Sequence, residues 1–330
     1  MRNIIAGISC LLLVGAVFFS CVYLDPNNPI EYASVLTADE NATFIVNMYI
    51  ESIEDHSSDM LIFSFLVPKL WNARQNTTIT YTDTYDEGVV KSMSIIPVEV
   101  APKNRQGMTW DEALKAEFGI ESNVLDEMEW VTFQSDEAYD VHNGDKQKAK
   151  ITVVTKVGPD NLRFKLGYFI NHSNDGLGDA SGGHWKHAVT DCIEVVDGEG
   201  ETLDFCELHL NAIAPRSATK DDIITIKFQG DVESNDLDSA DEIYLVAKAF
   251  TGAFHEYPVT ERTAKTRMSN EKGKTYSLTF WAADYFGIPA NEEILRIEYY
   301  FTNADGSKSV MQTYETGEPD TWFLSTFSCK

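Results

Sequence analysis

Apolar and polar residues alternate with a period of two along much of the chain. Leu295, Ile297, Tyr299 and Phe301 share one parity against Arg296 and Glu298, which predicts a strand with one buried face. Asn303-Ala304-Asp305-Gly306 follows as a turn, with Gly306 at positive φ and Asp305 bonding its own backbone. Leu162, Phe164, Leu166, Tyr168 and Ile170 alternate likewise against Arg163, Lys165 and Gly167, and Leu61, Phe63, Phe65 and Val67 share a face within Asp59–Trp71. Further strands are expected over Thr43–Glu51, Thr77–Tyr85 and Val90–Val100. Asp86-Glu87-Gly88, Asn143-Gly144-Asp145 and Gly158-Pro159-Asp160 supply turns. One helix is expected: Thr109 caps it, Glu112 completes a capping box, Gly119 ends it, and Trp110, Ala113, Leu114 and Phe118 share a face. A second set of strands covers Asp221–Phe228, Glu242–Phe250, Tyr276–Trp281 and Val310–Tyr314. Many short strands without a βαβ rhythm predict an all-β protein of two antiparallel β-sandwich domains in tandem, one short helix lying in the first. The first domain is read as residues 39–208 and the second, smaller one as 209–330.

The N-terminal pattern is different. Met1-Arg2, an apolar run from Ile4 to Phe19, and Ser20-Cys21 read as an export signal over 1–20, too short to span a bilayer with its flanks. A cysteine directly after a small residue resembles the lipobox of bacterial lipoproteins. That resemblance makes Cys21 the lipidated first residue of the mature chain, anchored without a spanning helix. Residues 21–38, punctuated by Pro26 and Pro29, read as a tether. Charge then narrows the partners: 52 acids against 26 bases give a net charge of −26, which excludes nucleic acid as a partner because phosphate backbones demand clustered Lys and Arg.

Candidate chemistry is sparse. If Gly198 to Gly200 form a hairpin loop, Cys192 faces Cys206 and the two form a candidate disulfide, with Ile193 and Val195 meeting Phe205 and Leu203 on the buried side. Their alternative is to lie in successive domains unpaired. His184 and His187, with His172 upstream, do not form a zinc signature, since on a strand the i and i+3 residues face opposite ways. Asp236, Asp238, Asp241 and Glu242 crowd oxygen ligands and are a weak calcium candidate, out of register with an EF-hand; solvated acidic loops are the plain alternative. No nucleophile elbow or P-loop is present, so no catalytic residue is named and no cofactor other than that calcium is expected.

Asp284-Tyr285-Phe286-Gly287-Ile288-Pro289-Ala290-Asn291-Glu292-Glu293-Ile294 and the strand through Asn303-Ala304-Asp305-Gly306-Ser307-Lys308 resemble the small β-sandwich modules of Bacteroidota surface glycan-utilisation proteins. Val67-Pro68-Lys69-Leu70-Trp71 and the capped helix at Trp110 are similar to an uncharacterised Ig-like domain family of lipoproteins from polysaccharide-utilisation loci. The resemblance implies two Ig-like domains on an outer-membrane, lipid-anchored and surface-exposed lipoprotein. It further implies an oligo- or polysaccharide ligand and outer-membrane glycan importer proteins as partners. Sugars stack on exposed aromatic rings and are read by amide and carboxylate groups. The candidate glycan residues are therefore Trp185 with Asn174, Asp175 and Asp179 on its glycine-rich loop, Phe254 and Tyr257, and Trp322. The competing reading is a structural or adhesin-like interaction protein with no sugar ligand.

Overall fold

The structure, a computed structural model, describes residues 21–52, 55–124, 127–178, 183–216, 218–312 and 321–327. The expected leader over 1–20, the side chain of Cys21, and Asp179 lie outside the described residues. Two compact units are present: Met1–Gly119 with Glu129–Thr202, and Ile120–Met128 with Leu203–Lys330.

The first unit contains β1 (Cys21–Leu24), β2 (Ile30–Glu31), β3 (Val35–Thr37), β4 (Asn41–Glu51), β5 (His56–Asp59), β6 (Leu61–Pro68), β7 (Thr77–Asp83) and β8 (Lys91–Ile95). It continues with β9 (Met128–Ser135), β10 (Tyr139–Val141), β11 (Lys146–Lys156), β12 (Asp160–His172), β13 (Lys186–Val196) and β14 (Glu199–Asp204). Its helices are the single turn α1 (Ala73–Asn76) and α2 (Trp110–Phe118). Twelve strands make one sheet in the order β1-β4-β11-β7-β8-β9-β6-β12-β13-β3, with β2 on β4 and β14 on β12; β5 and β10 form a separate ribbon. The sheet folds over itself. Phe44, Val46 and Val153 from β4 and β11 meet Phe63, Phe65, Leu166 and Tyr168 from β6 and β12, which gives the two apolar layers of a sandwich.

The predicted helix is present as expected. Thr109 accepts from the Glu112 backbone N–H, the Glu112 side chain accepts from the Thr109 N–H, and Gly119 follows at positive φ. α2 also explains a departure from the strand pattern. All eight positions of β6 are buried, rather than one face only, because α2 lies over the outer side of this layer. Trp110 packs on Phe169 at 6.2 Å and Phe118 on Trp130 at 6.2 Å. Beneath the helix, Ser64 and Thr132 bond each other at 2.8 Å, so the polar positions of that face are satisfied internally. Gly167 is required there: a Cβ would meet the Trp130 ring at 3.0 Å and the Leu66 Cβ at 3.1 Å.

Two further departures concern the chain ends of this unit. Residues 21–38 are not a free tether. β1 and β2 lie antiparallel on β4, β3 runs parallel to β13, and Val22 is 0% exposed. The Val22 N–H also donates to the Gly183 carbonyl at 2.9 Å. The segment Pro26 to Pro29 that suggested a linker is a turn, held by the Asp25 carboxylate accepting from the Asn27 and Asn28 backbone N–H groups. At the other end, β14 pairs with β12 instead of forming the expected hairpin with β13. The Asn161 side chain fixes this by bonding Gly198 and Gly200.

The second unit contains β15 (Asn211–Ala214), β16 (Ile223–Gln229), β17 (Ile243–Thr251), β18 (Glu256–Val259), β19 (Ser269–Lys272), β20 (Thr275–Trp281), α3 (Ala282–Phe286), β21 (Ile294–Asn303), β22 (Ser309–Val310) and β23 (Phe323–Thr326). Its sheets are β15-β16-β20-β19 and β18-β17-β21-β22 with β23 on β21. Ile224, Ile226 and Phe228 from one sheet and Leu245, Ile297, Tyr299 and Phe301 from the other share a buried core. Residues 120–128 join this unit because the Asn123 side chain bonds both backbone groups of His209 and the Asn123 carbonyl accepts from Gln229. The protein is thus all-β, as the alternation predicts.

Candidate functional site

The loop candidates are drawn into structure rather than left as a platform. Trp185 is half-buried, edge-on to Phe118 at 4.8 Å, with its indole N–H aimed at the Gly178 carbonyl at 3.4 Å. It belongs to the aromatic cluster under α2. The Asn174 N–H donates to Asp59 at 3.1 Å and the Asn174 carbonyl accepts from Lys103. Asp175 lies 2.8 Å from His172 Nε2 and 2.8 Å from His184 Nδ1. In the second unit, Tyr257 donates to Glu292 at 3.0 Å beside Thr251 and His255. Those bonds hold the loop from which Phe254, at positive φ, projects with 98% of its surface exposed. Trp322 meets Tyr300 at 4.8 Å, with the Lys248 ammonium over its ring at 4.7 Å. The calcium candidates are not brought together. Asp238 pairs with Lys274 at 2.8 Å and Glu242 with Arg267 at 3.0 Å, while Asp236 and Asp241 face solvent. Among the described residues no group of three His, Cys, Asp or Glu side chains is arranged to hold a metal ion. Cys192 and Cys206 are both disulfide-bonded.

The first unit also assembles a buried ionic cluster that the sequence did not disclose. His172, with 4% of its side chain exposed, sits 2.7 Å from Asp59 and 2.8 Å from Asp175. Burial opposes its charge, but the two carboxylates outweigh burial and push its pKa up to about 9. The same pairing, against burial, holds Asp59 at about 2 and Asp175 below its usual range. Nearby, Tyr139 donates to Asp83 at 2.7 Å, and the buried Lys91 ammonium lies 3.0 Å from Asp83 and 2.7 Å from Asp86. A narrow cavity of about 60 Å³ separates the two networks, lined by His56, Asp59, Leu61, Tyr85, Tyr139 and His172. Such a volume holds roughly four waters. His172 is protonated at neutral pH and its carboxylates are spent on it, so the cluster offers no base and pins β5 to β12.

The open surface is on the opposite side of β4 and β11. Cross-strand partners share a face, so the registers Tyr23↔Tyr49↔Lys148, Glu51↔Lys146 and Asn47↔Lys150↔Thr82 put these side chains outward together. Met48, Ala149 and Tyr81 take the other parity, toward the core. Tyr23 and Tyr49 are stacked at 4.7 Å with 11° between planes. The turn after β1 rises beside them, positioned by the Asp25 N–H bonding the Asn47 carbonyl and by Asn47 Nδ2 bonding the Asn28 carbonyl. The result is a groove of about 600 Å³ lined by Asn27, Tyr49, Thr82, Thr84, Lys148 and Lys150, within the ~300–1,000 Å³ typical of ligand sites. The segment read as a tether forms one of its walls.

Residues 27–209 match a family described as "Domain of unknown function (DUF4961)". The chain belongs to the DUF4961 family. Tyr49, Thr82, Lys148 and Lys150 all lie in the DUF4961 stretch, whereas Phe254 and Tyr257 lie in residues 211–310, which match "Domain of unknown function (DUF8578)". No curated protein matches the chain. Among solved structures, this DUF4961 chain is similar to "Enterococcal surface protein, partial N-terminal region", at 9% identity over 88% of this chain and 91% of that one, with a TM-score of 0.27. It is likewise similar to the group B streptococcus pilus 2b backbone protein, at 11% identity over 91% and 89% with a TM-score of 0.23. No helix among the described residues is long and apolar enough to cross a membrane.

Proposed function

We propose that this protein is a non-catalytic cell-surface lipoprotein whose first unit binds an oligosaccharide in the β4–β11 groove. One observation carries the reading: Tyr49, backed by the stacked Tyr23 ring, lines a concave, solvent-open groove whose polar lining includes amide, hydroxyl and ammonium groups with carboxylates at its rim. An aromatic face for sugar C–H groups, with polar donors beside it, is the chemistry of carbohydrate recognition. A glycan-array screen of the purified protein, followed by calorimetry on the best hits, tests it. Tyr49→Ala should weaken binding by about 1–3 kcal/mol, the range of ring stacking on aromatic side chains, with the melting temperature kept. Full affinity in Tyr49→Ala rules the groove out.

Anchoring is part of the proposal: Cys21 carries the lipid, and the protein works beside an outer-membrane glycan importer. Cys21→Ser is expected to move it from the membrane fraction to the soluble fraction, and unchanged membrane retention defeats the anchor. A second reading, an adhesin-like interaction protein without a sugar ligand, draws support from Phe254. A ring 98% exposed on a positive-φ residue is costly to hold unless it docks on something.

A further inference from the structure

We infer that the groove takes an acidic oligosaccharide, one whose uronate carboxylates or sulfate esters lie along β11; the inference rests on the oligosaccharide reading above. The chain carries 52 acids against 26 bases, so neighbouring lysines on one strand face with no acidic partner stand out locally. Lys146, Lys148 and Lys150 occupy alternate positions of β11 and are all exposed on its outward face. Lys146 is matched to Glu51 at 2.7 Å. Lys148 and Lys150 have no acidic partner among the described residues.

Their direct cross-strand partners are neutral. Lys148 stands opposite Tyr49, and Lys150 between Asn47 and Thr82. The acids nearby are engaged by other groups: Glu51 by Lys146, Asp25 by two backbone N–H groups, Asp83 by Tyr139 and Lys91, and Glu31 by the side-chain amides of Asn28 and Asn47. The Lys148 and Lys150 backbone positions thus stand about 6.8 Å apart, two antiparallel residues of rise, along a groove with an aromatic wall. Lysine offers three donors and no acceptor. It is a poor reader of a hydroxyl that must both give and take, and a good one of carboxylate or sulfate. The net charge of −26 works in the same direction. It repels polyanions from the rest of the surface, which leaves this strip as the place where an anionic chain can lie. A flat anionic bilayer fits less well, because the turn at Pro26 and Asn27 stands above the lysines as a rim.

The test is calorimetry of the purified protein with oligogalacturonate, κ-carrageenan oligomers and maltoheptaose at low and moderate salt, alongside flotation with phosphatidylglycerol vesicles. At least one acidic oligomer is expected to bind with an affinity that falls as salt rises, and which of the two binds distinguishes carboxylate from sulfate. Lys148→Gln with Lys150→Gln should lower that affinity by about tenfold, the scale of two exposed ion pairs, at an unchanged melting temperature, and the two arginine replacements should restore it. Maltoheptaose binding equally in the wild type and the glutamine variant overturns the acidic class while leaving the sugar reading intact. Failure of every saccharide removes both. Binding to vesicles alone overturns the inference in favour of a lipid surface.

Discussion

His172 shows what long-range contacts do to a residue that looks unremarkable locally. Only Asp175 is near it in sequence; Asp59 and the cavity-lining His56 and Tyr139 come from β5 and β10. The i, i+3 spacing of His184 and His187 is visible in the sequence, whereas the cluster depends on β5 and β10 lying beside His172. Its pH signature follows from its partners. The folded pKa of about 9 lies above the ordinary 6.5, so the charged pair stabilises the fold in full below about pH 6.5 and that contribution is lost as pH rises through about 9. Asp59 has the opposite sign: its value of about 2 lies below 3.8, so its contribution is present above 3.8 and is lost as pH falls through about 2. Melting temperatures are therefore expected to be highest between about pH 4 and 6.5 and to fall toward pH 9.5. His172→Gln should flatten the alkaline limb while costing about 3–5 kcal/mol at neutral pH, because it leaves two buried carboxylates uncompensated. A wild-type melting temperature that is level from pH 6.5 to 9.5 contradicts this.

Elements were legible where their signal was local. The Thr109–Glu112 capping box is written within four consecutive residues and forms as read, and the alternation of Ile297, Tyr299 and Phe301 gives β21 its buried face, whereas Leu295, expected on that face, is exposed because a register shift opposite Phe250 and Thr251 turns Ile294 inward in its place. What could not be read was which strands end up covered twice. β6 is buried on both sides because α2 reaches it from elsewhere in the chain, and nothing in Leu61–Pro68 announces that helix. The misread tether has a related cause. Prolines and asparagines between short apolar pieces look the same in a linker as in a turn between strands two to four residues long. The difference is measurable. Deleting residues 21–31 should uncover the edge of β4 that faces β1 and β2 while its pairing with β11 remains, lower the melting temperature, and cause concentration-dependent self-association through that edge. A monomer of unchanged stability would restore the tether reading.

For the whole molecule, fold class was readable because strand alternation recurs along the chain, while the groove was not, since it needs β1, β4, β7 and β11 side by side. Cysteine pairing falls between these cases. Cys192 and Cys206 are disulfide-bonded, and mapping of non-reduced peptides is expected to recover them in one cross-linked pair. Closing a loop of about 15 residues contributes about 3 kcal/mol in the chain-entropy model, so reductant should lower the melting temperature. Both thiols free, or Cys329 joined to either, would refute the pairing. The placement of β1 has a mechanical consequence as well. With the proposed lipid at Cys21, any drag on the protein is applied at the first rung of the β1–β4 ladder, Cys21↔Glu51. An antiparallel strand pulled from its end parts one rung at a time, first β1 and then β2, and frees roughly 11 residues that extend to at most about 40 Å. At rest this segment walls the groove; under tension it pays out as a line, and the groove opens with it.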